Sequence, residues 1–318
     1  MKSKRKFELF YKLHEGERFS SKLNELIALT PTAPISYKVY SIPKKKGGRR
    51  TIAHPTKKLK EIQKKLLELL QLQIHKSAYA YRKGRNIAQN AETHKENKFL
   101  LKLDFHDFFN SINNIIFTRY LDKIGIHYNE DDKWLINHIF FWNPNKKDNS
   151  HKKLILSVGA PSSPTISNAV MYFFDKEIEE YCESKSMKYS RYADDISISG
   201  NNKNELKTII PVIREKLNEL FNGRIILNEL KTVIISPGYN KFITGITLTS
   251  QGSISIGRKR KRYIFSLVYK YKINELSKDL IPRLKGLLVF SKNIEPSFIV
   301  RLELKYGKEI IRRILDEK

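Results

Sequence analysis

Apolar positions along the chain alternate between two periods. Leu59, Ile62, Leu66, Leu69 and Leu70 recur at helical spacing after Pro55, and Ile166, Ala169, Val170 and Phe173 do so after a Gly/Pro/Ser loop at 156–164. In that loop Ser163 is the expected N-cap and Pro164 the first helical residue. Leu206, Ile209, Ile210, Ile213, Leu217 and Leu220 mark another helix, which Pro211 should kink unless it lies near the start. Ile264, Leu267, Val268 and Tyr271 mark one more. Strand patterns lie between. Tyr37 to Pro43 and a second run through Ile52 flank Gly47-Gly48, a hairpin signal. Phe99 to Asp104 is an apolar strand ending in a carboxylate. Ile196 and Ile198 alternate with Ser197 and Ser199, and Tyr189 and Tyr192 suggest the partner strand of a second hairpin. Residues 225–233 are expected as strand, turn and strand, and 242–256 as hairpin-like. The mixture predicts an α+β fold in one multi-lobed unit, without internal repeats or low-complexity linkers.

The tip of the second hairpin is Asp194-Asp195. Neighbouring uncompensated carboxylates repel each other, and Mg²⁺, which takes hard oxygen ligands, would relieve them. A turn using Asp for local hydrogen bonds is the plainer explanation. The chain contains its own control at Asp131-Asp132, which follows Asn129-Glu130 and reads as the acidic first turn of a helix. A third carboxylate in a matching setting shifts the balance, and Asp104 supplies it.

Charge then narrows the partner. Sixty Lys plus Arg against thirty-three Asp plus Glu leave a formal charge of +27, which calls for a polyanion. No apolar run approaches the roughly 18–20 residues of a membrane span, and no signal-peptide core opens the chain, so a membrane partner is not expected and the cytoplasm is. The 17 Phe and 16 Tyr scattered among cations suit stacking on bases. The single cysteine, Cys182, excludes an internal disulfide and disfavours a thiolate zinc site. Basic residues crowd the Gly-Gly turn (Lys44, Lys45, Lys46, Arg49, Arg50), where glycine lets a triphosphate approach the backbone. Five more run from Arg258 through Lys259, Arg260 and Lys261 to Arg262. The basic N-terminal stretch is either a solvated helix or a clamp on phosphates.

Asp104 at a strand end, Asp194 and Asp195 on a hairpin tip, and a basic hairpin ahead of both give the order of a palm polymerase. Two Mg²⁺ about 3.5–4 Å apart must there clamp the attacking and leaving oxygens of an in-line phosphoryl displacement. Tyr192-Ala193-Asp194-Asp195 resembles the YxDD box of reverse transcriptases, Asp104 to Phe109 their first carboxylate motif, and Gly159 to Pro164 their template and nucleotide loop. Asn90-Ala91-Glu92-Thr93-His94 matches the NAxxH element of bacterial retron reverse transcriptases, and Ile243-Thr244-Gly245 is close to their VTG element. The resemblance runs from about Tyr37 to Gly307.

It implies a right-hand fold: an N-terminal basic helical extension over 1–30, fingers over 31–98 and 112–155, palm over 99–111 and 156–245, and primer grip with helical thumb over 246–318. Asp104 and Asp194 would bind both metals with the Phe105 carbonyl, and Asp195 would complete the site. Lys44 or Lys45, Arg50 and the backbone N–H groups of Asp107 and Phe108 would hold the dNTP triphosphate. Phe109 would exclude a ribose 2′-OH, Gly159 would line the nucleotide loop, and Lys231 is a candidate proton donor to pyrophosphate. Lys83, Arg85, Asn90 and His94 would contact RNA, and the cations of 258–262 the RNA–DNA duplex. From composition alone, His94 fits a hydrogen-bonded structural residue better than a catalyst. One departure stands out: the glutamine usual in the family's loop is Val158 here.

Retron enzymes use a structured non-coding RNA as template and primer, start from an internal 2′-OH and yield branched RNA–DNA. The resemblance therefore implies a cognate RNA, a host ribonuclease H, a retron effector protein and a role in phage defence. A group II intron enzyme would usually carry a maturase extension beyond the thumb. A non-catalytic RNA-binding scaffold would have no reason to keep three uncompensated carboxylates.

Overall fold

The structure, a computed structural model, describes residues 26–44, 47–145 and 153–317. The basic stretch over residues 1–25, and Lys45 and Lys46 of the Gly-Gly turn, lie outside the described residues. Strands β1 (Tyr37–Pro43) and β2 (Arg49–Pro55) pair as the expected antiparallel hairpin and lead into α1 (Lys57–Leu69). Helix α2 (Ile87–Glu92) starts with a capping box, in which Asn86 Oδ1 accepts from the Gln89 N–H and Gln89 Oε1 from the Asn86 N–H. Strand β3 (Phe99–Asp104) follows, then α3 (Phe108–Ser111), α4 (Asn114–Lys123) and α5 (Glu130–Phe140). Asn129 and Asp132 form a second capping box at the start of α5, so Asp131-Asp132 is an acidic helix start as expected.

Helices α6 (Ser163–Val170) and α7 (Tyr172–Ser184) precede β4 (Lys188–Tyr192) and β5 (Asp195–Gly200). Ser162 is the N-cap of α6, one position earlier than expected, so Ser163 is already helical and Pro164 takes the second position. Helix α8 (Lys203–Phe221) continues past Pro211, which lies inside it. Residues 225–233 depart from the strand–turn–strand expectation. Only Leu227 makes a bridge, to Phe105, and a short 3-10 turn at Glu229–Lys231 leads into β6 (Val233–Ile235). Strands β7 (Lys241–Ile243), β8 (Ile246–Leu248) and β9 (Ile254–Ser255) form a small sheet. Helices α9 (Arg258–Lys272), α10 (Ile281–Ile294), α11 (Pro296–Tyr306) and α12 (Lys308–Asp316) end the chain.

The central sheet runs β4-β5-β3-β6 with antiparallel neighbours, and side chains alternate across it. Leu101, Leu103, Ile196 and Ile198 face a core shared with Phe117, Phe140, Ile166 and Phe174 of the helices. Leu100 faces the other way, into a second core with Ala91, Ile243, Ile246, Leu248 and the buried residues of α9 to α12. The sheet is therefore held from both sides, and the register places Asp104, Lys102 and Leu100 opposite Asp195, Ser197 and Ser199 on the second face.

Candidate active site

Strand β3 pairs through its last residue, so Asp104 lies directly across from Asp195. Backbone pairing continues past the strand: the Phe105 N–H donates to the Asp194 carbonyl at 3.2 Å and the Asn228 N–H to the Asp104 carbonyl at 2.7 Å. Ala193 and Asp194 form the two-residue turn between β4 and β5, with Ala193 in the left-handed region at φ 58°. A non-glycine residue there is strained, by about 1–3 kcal/mol. Arg191 offsets this locally, its Nη1 donating to the Ala193 carbonyl at 2.9 Å.

The three carboxylates crowd one another. Loss of hydration and the charge of Asp194 push Asp195 up to about 6, even though its side chain reaches solvent. Asp194 is also raised, first by burial and then by Asp104. Lys231 Nζ lies 2.7 Å from Asp104 Oδ1 and supplies a local counter-charge. Among the described residues no three acidic, His or Cys side chains already converge as a metal cage. The donor set nevertheless fits divalent cations, being hard oxygens whose mutual repulsion such an ion would relieve.

Around the carboxylates, Arg50 on β2 is near enough for its charge to act on Asp194. The neighbouring Arg49 is committed to Ser41, donating to its Oγ at 2.6 Å and its carbonyl at 3.0 Å. The loop before α6 is stitched to β2 by the Ala53 N–H donating to the Val158 carbonyl at 3.0 Å. Gly159 needs its missing side chain, since at φ +126° a Cβ would stand 3.0 Å from the Ala53 carbonyl oxygen. Phe105 and Phe108 stack at 5.1 Å in the core, while Phe109 packs edge-on against Phe108 at 5.7 Å and stays half-buried. Lys44 is exposed at the β1–β2 turn.

Comparison with known proteins decides the family. Residues 42–264 match the model of the reverse transcriptase (RNA-dependent DNA polymerase) family. The chain is 45% identical over 280 residues to the retron Ec83 reverse transcriptase of Escherichia coli, covering 87% of this chain and 89% of that one. It is 32% identical over 297 residues to the retron Ec73 reverse transcriptase of Escherichia coli, with the same coverage. This chain belongs to the bacterial retron reverse transcriptases. It is thus an RNA-directed DNA polymerase with a right-hand α+β fold. A looser likeness links it to a solved structure of apo telomerase from Candida tropicalis, at 12% identity and TM-score 0.49, over 87% of this chain and 62% of that one.

In this retron reverse transcriptase, several of the expected RNA contacts are placed elsewhere. His94 is fully buried, its Nδ1 2.8 Å from Ser199 Oγ and its Nε2 2.7 Å from Ser190 Oγ, so both ring nitrogens are occupied inside the protein. Asn90 is buried at 1% exposure on α2, and His94 lies in the turn just after that helix. Neither side chain can read RNA from there; the reason is that α2 packs against the sheet rather than standing on the surface. Lys261 is likewise committed, donating to Glu295 Oε1 at 2.6 Å. Lys83, Arg258, Lys259 and Arg262 are exposed, while Arg85 lies over the Tyr79 ring and Arg260 over the Phe290 ring. The Ile243-Thr244-Gly245 element is the β7–β8 turn, with Thr244 at φ 47° and Gly245 at φ 82°.

Sequence reasoning missed the support behind the hairpin that carries Asp194 and Asp195. Arg191 is fully buried and grips Asp175 of α7 with two bonds, Nε to Oδ1 at 2.8 Å and Nη2 to Oδ2 at 2.6 Å. Tyr189 Oη donates to the same Asp175 Oδ1 at 2.6 Å, and Arg191 Nη1 also reaches Asn168 Oδ1 at 3.1 Å. Two more residues frame the site: Tyr81, whose hydroxyl is raised by burial and by Asp194, and Lys102, whose charge acts on Asp195 while its Nζ lies over the Phe242 ring. No helix among the described residues is long and apolar enough to cross a membrane.

Proposed function

We propose that this enzyme copies a cognate structured non-coding RNA, primed from an internal 2′-OH of that RNA, into branched RNA–DNA. The observation that carries the chemistry is the β3–β5 register, which brings Asp104 and Asp195 face to face with Asp194 at the adjoining turn. Asp104, Asp194 and the Phe105 carbonyl would hold two Mg²⁺, with Asp195 completing the site. Such ions, when bound, neutralise charge on the attacking and leaving oxygens. The primer hydroxyl gives up its proton to solvent and forms a bond to the α-phosphorus of a dNTP as the bond to pyrophosphate breaks. Lys231, already beside Asp104, gives the leaving pyrophosphate a proton. Arg50, Lys44 and the Asp107 and Phe108 N–H groups orient the triphosphate, and Phe109 rejects a ribose 2′-OH by overlap. Fingers over 31–98 and 112–155, palm over 99–111 and 156–245, and primer grip and thumb over 246–318 would divide this work.

Retron kinship supports three partners and a setting: the cognate RNA, a host ribonuclease H that trims the template, an effector protein, and phage defence in the cytoplasm. The test is to purify the enzyme with its bound RNA, supply dNTPs and treat the product with a 2′–5′ debranching enzyme. Release of free DNA from a larger RNA–DNA species is expected. Linear DNA grown only from RNA 3′ ends would overturn the self-priming assignment.

A further inference from the structure

The NAxxH histidine has a place in the structure that RNA recognition does not account for. His94 spans two strands of the hairpin that ends in the carboxylates, with Ser190 on β4 and Ser199 on β5. In the register Ser190 pairs with Ser197 and Ser199 with Lys188, so the ring bridges diagonal neighbours across the ladder. By the alternation of the sheet these serines share a face with Asp195 and Asp104. Both serines are almost fully buried, and Asn97 Nδ2 donates to Ser199 Oγ at 2.8 Å. A buried hydroxyl without a partner is costly, so a shifted ladder would leave two hydroxyls and two ring nitrogens unsatisfied together. A slip of one residue would also turn every side chain of the strand to the opposite face.

On the opposite face the hairpin is gripped by Arg191 and Tyr189 through Asp175. The turn between the strands is strained at Ala193 and needs holding from outside. We infer that His94, by tying Ser190 to Ser199, is a positioning residue that fixes the register of the hairpin presenting Asp194 and Asp195. The NAxxH element then acts on chemistry through hairpin geometry, whichever template is bound. The inference rests on the three carboxylates being the catalytic set.

The test compares the parent with His94→Ala, His94→Gln and Ser190→Ala/Ser199→Ala. Four properties are read: melting temperature, RNA affinity, Mn²⁺ affinity by titration, and single-turnover rate on a generic annealed primer–template and on the cognate RNA. A misplacement near 1 Å costs about a hundredfold in rate, so a loss of about tenfold or more is expected for His94→Ala. The loss should be equal on both templates, measured well below the melting temperature, with RNA affinity unchanged and Mn²⁺ bound several-fold less tightly. His94→Gln, which keeps a donor and an acceptor, should recover part of the rate. If His94→Ala does not fold, the serine pair, which keeps the ring volume, should reproduce its effects. A loss confined to the cognate RNA, or full rate on the generic template, overturns the inference. Asp194→Asn is the control: if it retains synthesis and Mn²⁺ affinity, the catalytic assignment falls instead.

Discussion

Asp104, Asp194 and Asp195 reach one spot by two routes, a cross-strand pair and a chain neighbour, and that is why their charges are uncomfortable together. Replacing Asp104 or Asp194 by Asn removes an oxygen proposed to hold metal while leaving the positive surface expected to supply nucleic-acid affinity. Primer extension should disappear and RNA binding should persist, as gel extension and filter binding would show. Extension near the parent rate by either variant would refute the assignment. Phe109→Val is expected to raise rNTP incorporation relative to dNTP, read from competing substrates on one template. Phe108 is no substitute for Phe109 here, because its ring is buried at 3% exposure against Phe105. At this scale much was legible: an apolar strand ending in Asp104 and an alternating hairpin ending in Asp194-Asp195 announce themselves in the chain. The burial of His94 was not, because nothing around Asn90 to His94 says which side of the short helix meets the sheet.

At the scale of elements, the hairpin is held from beneath by a charged pair that pattern reading would have placed in solvent. Asp175 sits on an amphipathic helix, and Arg191 lies sixteen residues further on in a strand, yet the pair is fully buried. Periodicity cannot reveal such a partner, since only the packing of α7 under β4 brings the two together. Breaking a buried pair from one side leaves an unpaired charge and costs about 3–5 kcal/mol, whereas replacing both partners by apolar residues is much milder. Arg191→Leu should therefore lower unfolding stability in denaturant by about that amount, and Arg191→Leu/Asp175→Leu by clearly less. Equal losses would mean the pair is no more than packing. His94 adds a pH dependence. Burial, with the nearby positive Lys188, pushes it down to about 3, so the folded protein holds it neutral. The unfolded chain takes up a proton below its ordinary value of about 6.5. The contribution is full above that pH and is lost progressively between about 6.5 and 3. Relative to His94→Gln, the parent should lose stability over this window in chemical unfolding at stepped pH, and parallel curves would refute it.

Across the whole molecule, the +27 charge signalled a polyanionic partner but not which cations would meet it. The run at 258–262 reads as one uniform block, yet helical geometry divides it as α9 turns. Arg258, Lys259 and Arg262 face solvent, while Lys261 turns inward to Glu295. Glu295 also accepts from Arg301 at 2.9 Å, from Ser255 Oγ at 2.8 Å and from the Ile256 N–H at 3.3 Å, joining the β7–β9 sheet to α9 and α11. Lys261 therefore belongs to the junction that ties the terminal helices together, and its exposed neighbours to the surface available to nucleic acid. These roles separate by salt. Each phosphate contact releases counterions and adds about 0.7–0.9 to the slope of log affinity against log salt concentration. Arg258→Ala, Lys259→Ala or Arg262→Ala should each flatten that slope by up to about 1 while leaving the melting temperature unchanged. Lys261→Ala should keep the slope and lower the melting temperature, because Glu295 loses its closest cation. RNA titrations over a range of KCl concentrations, with thermal melts of the same four proteins, distinguish the cases. A flattened slope for Lys261→Ala with an unchanged melt would place that lysine on the nucleic acid and overturn the division.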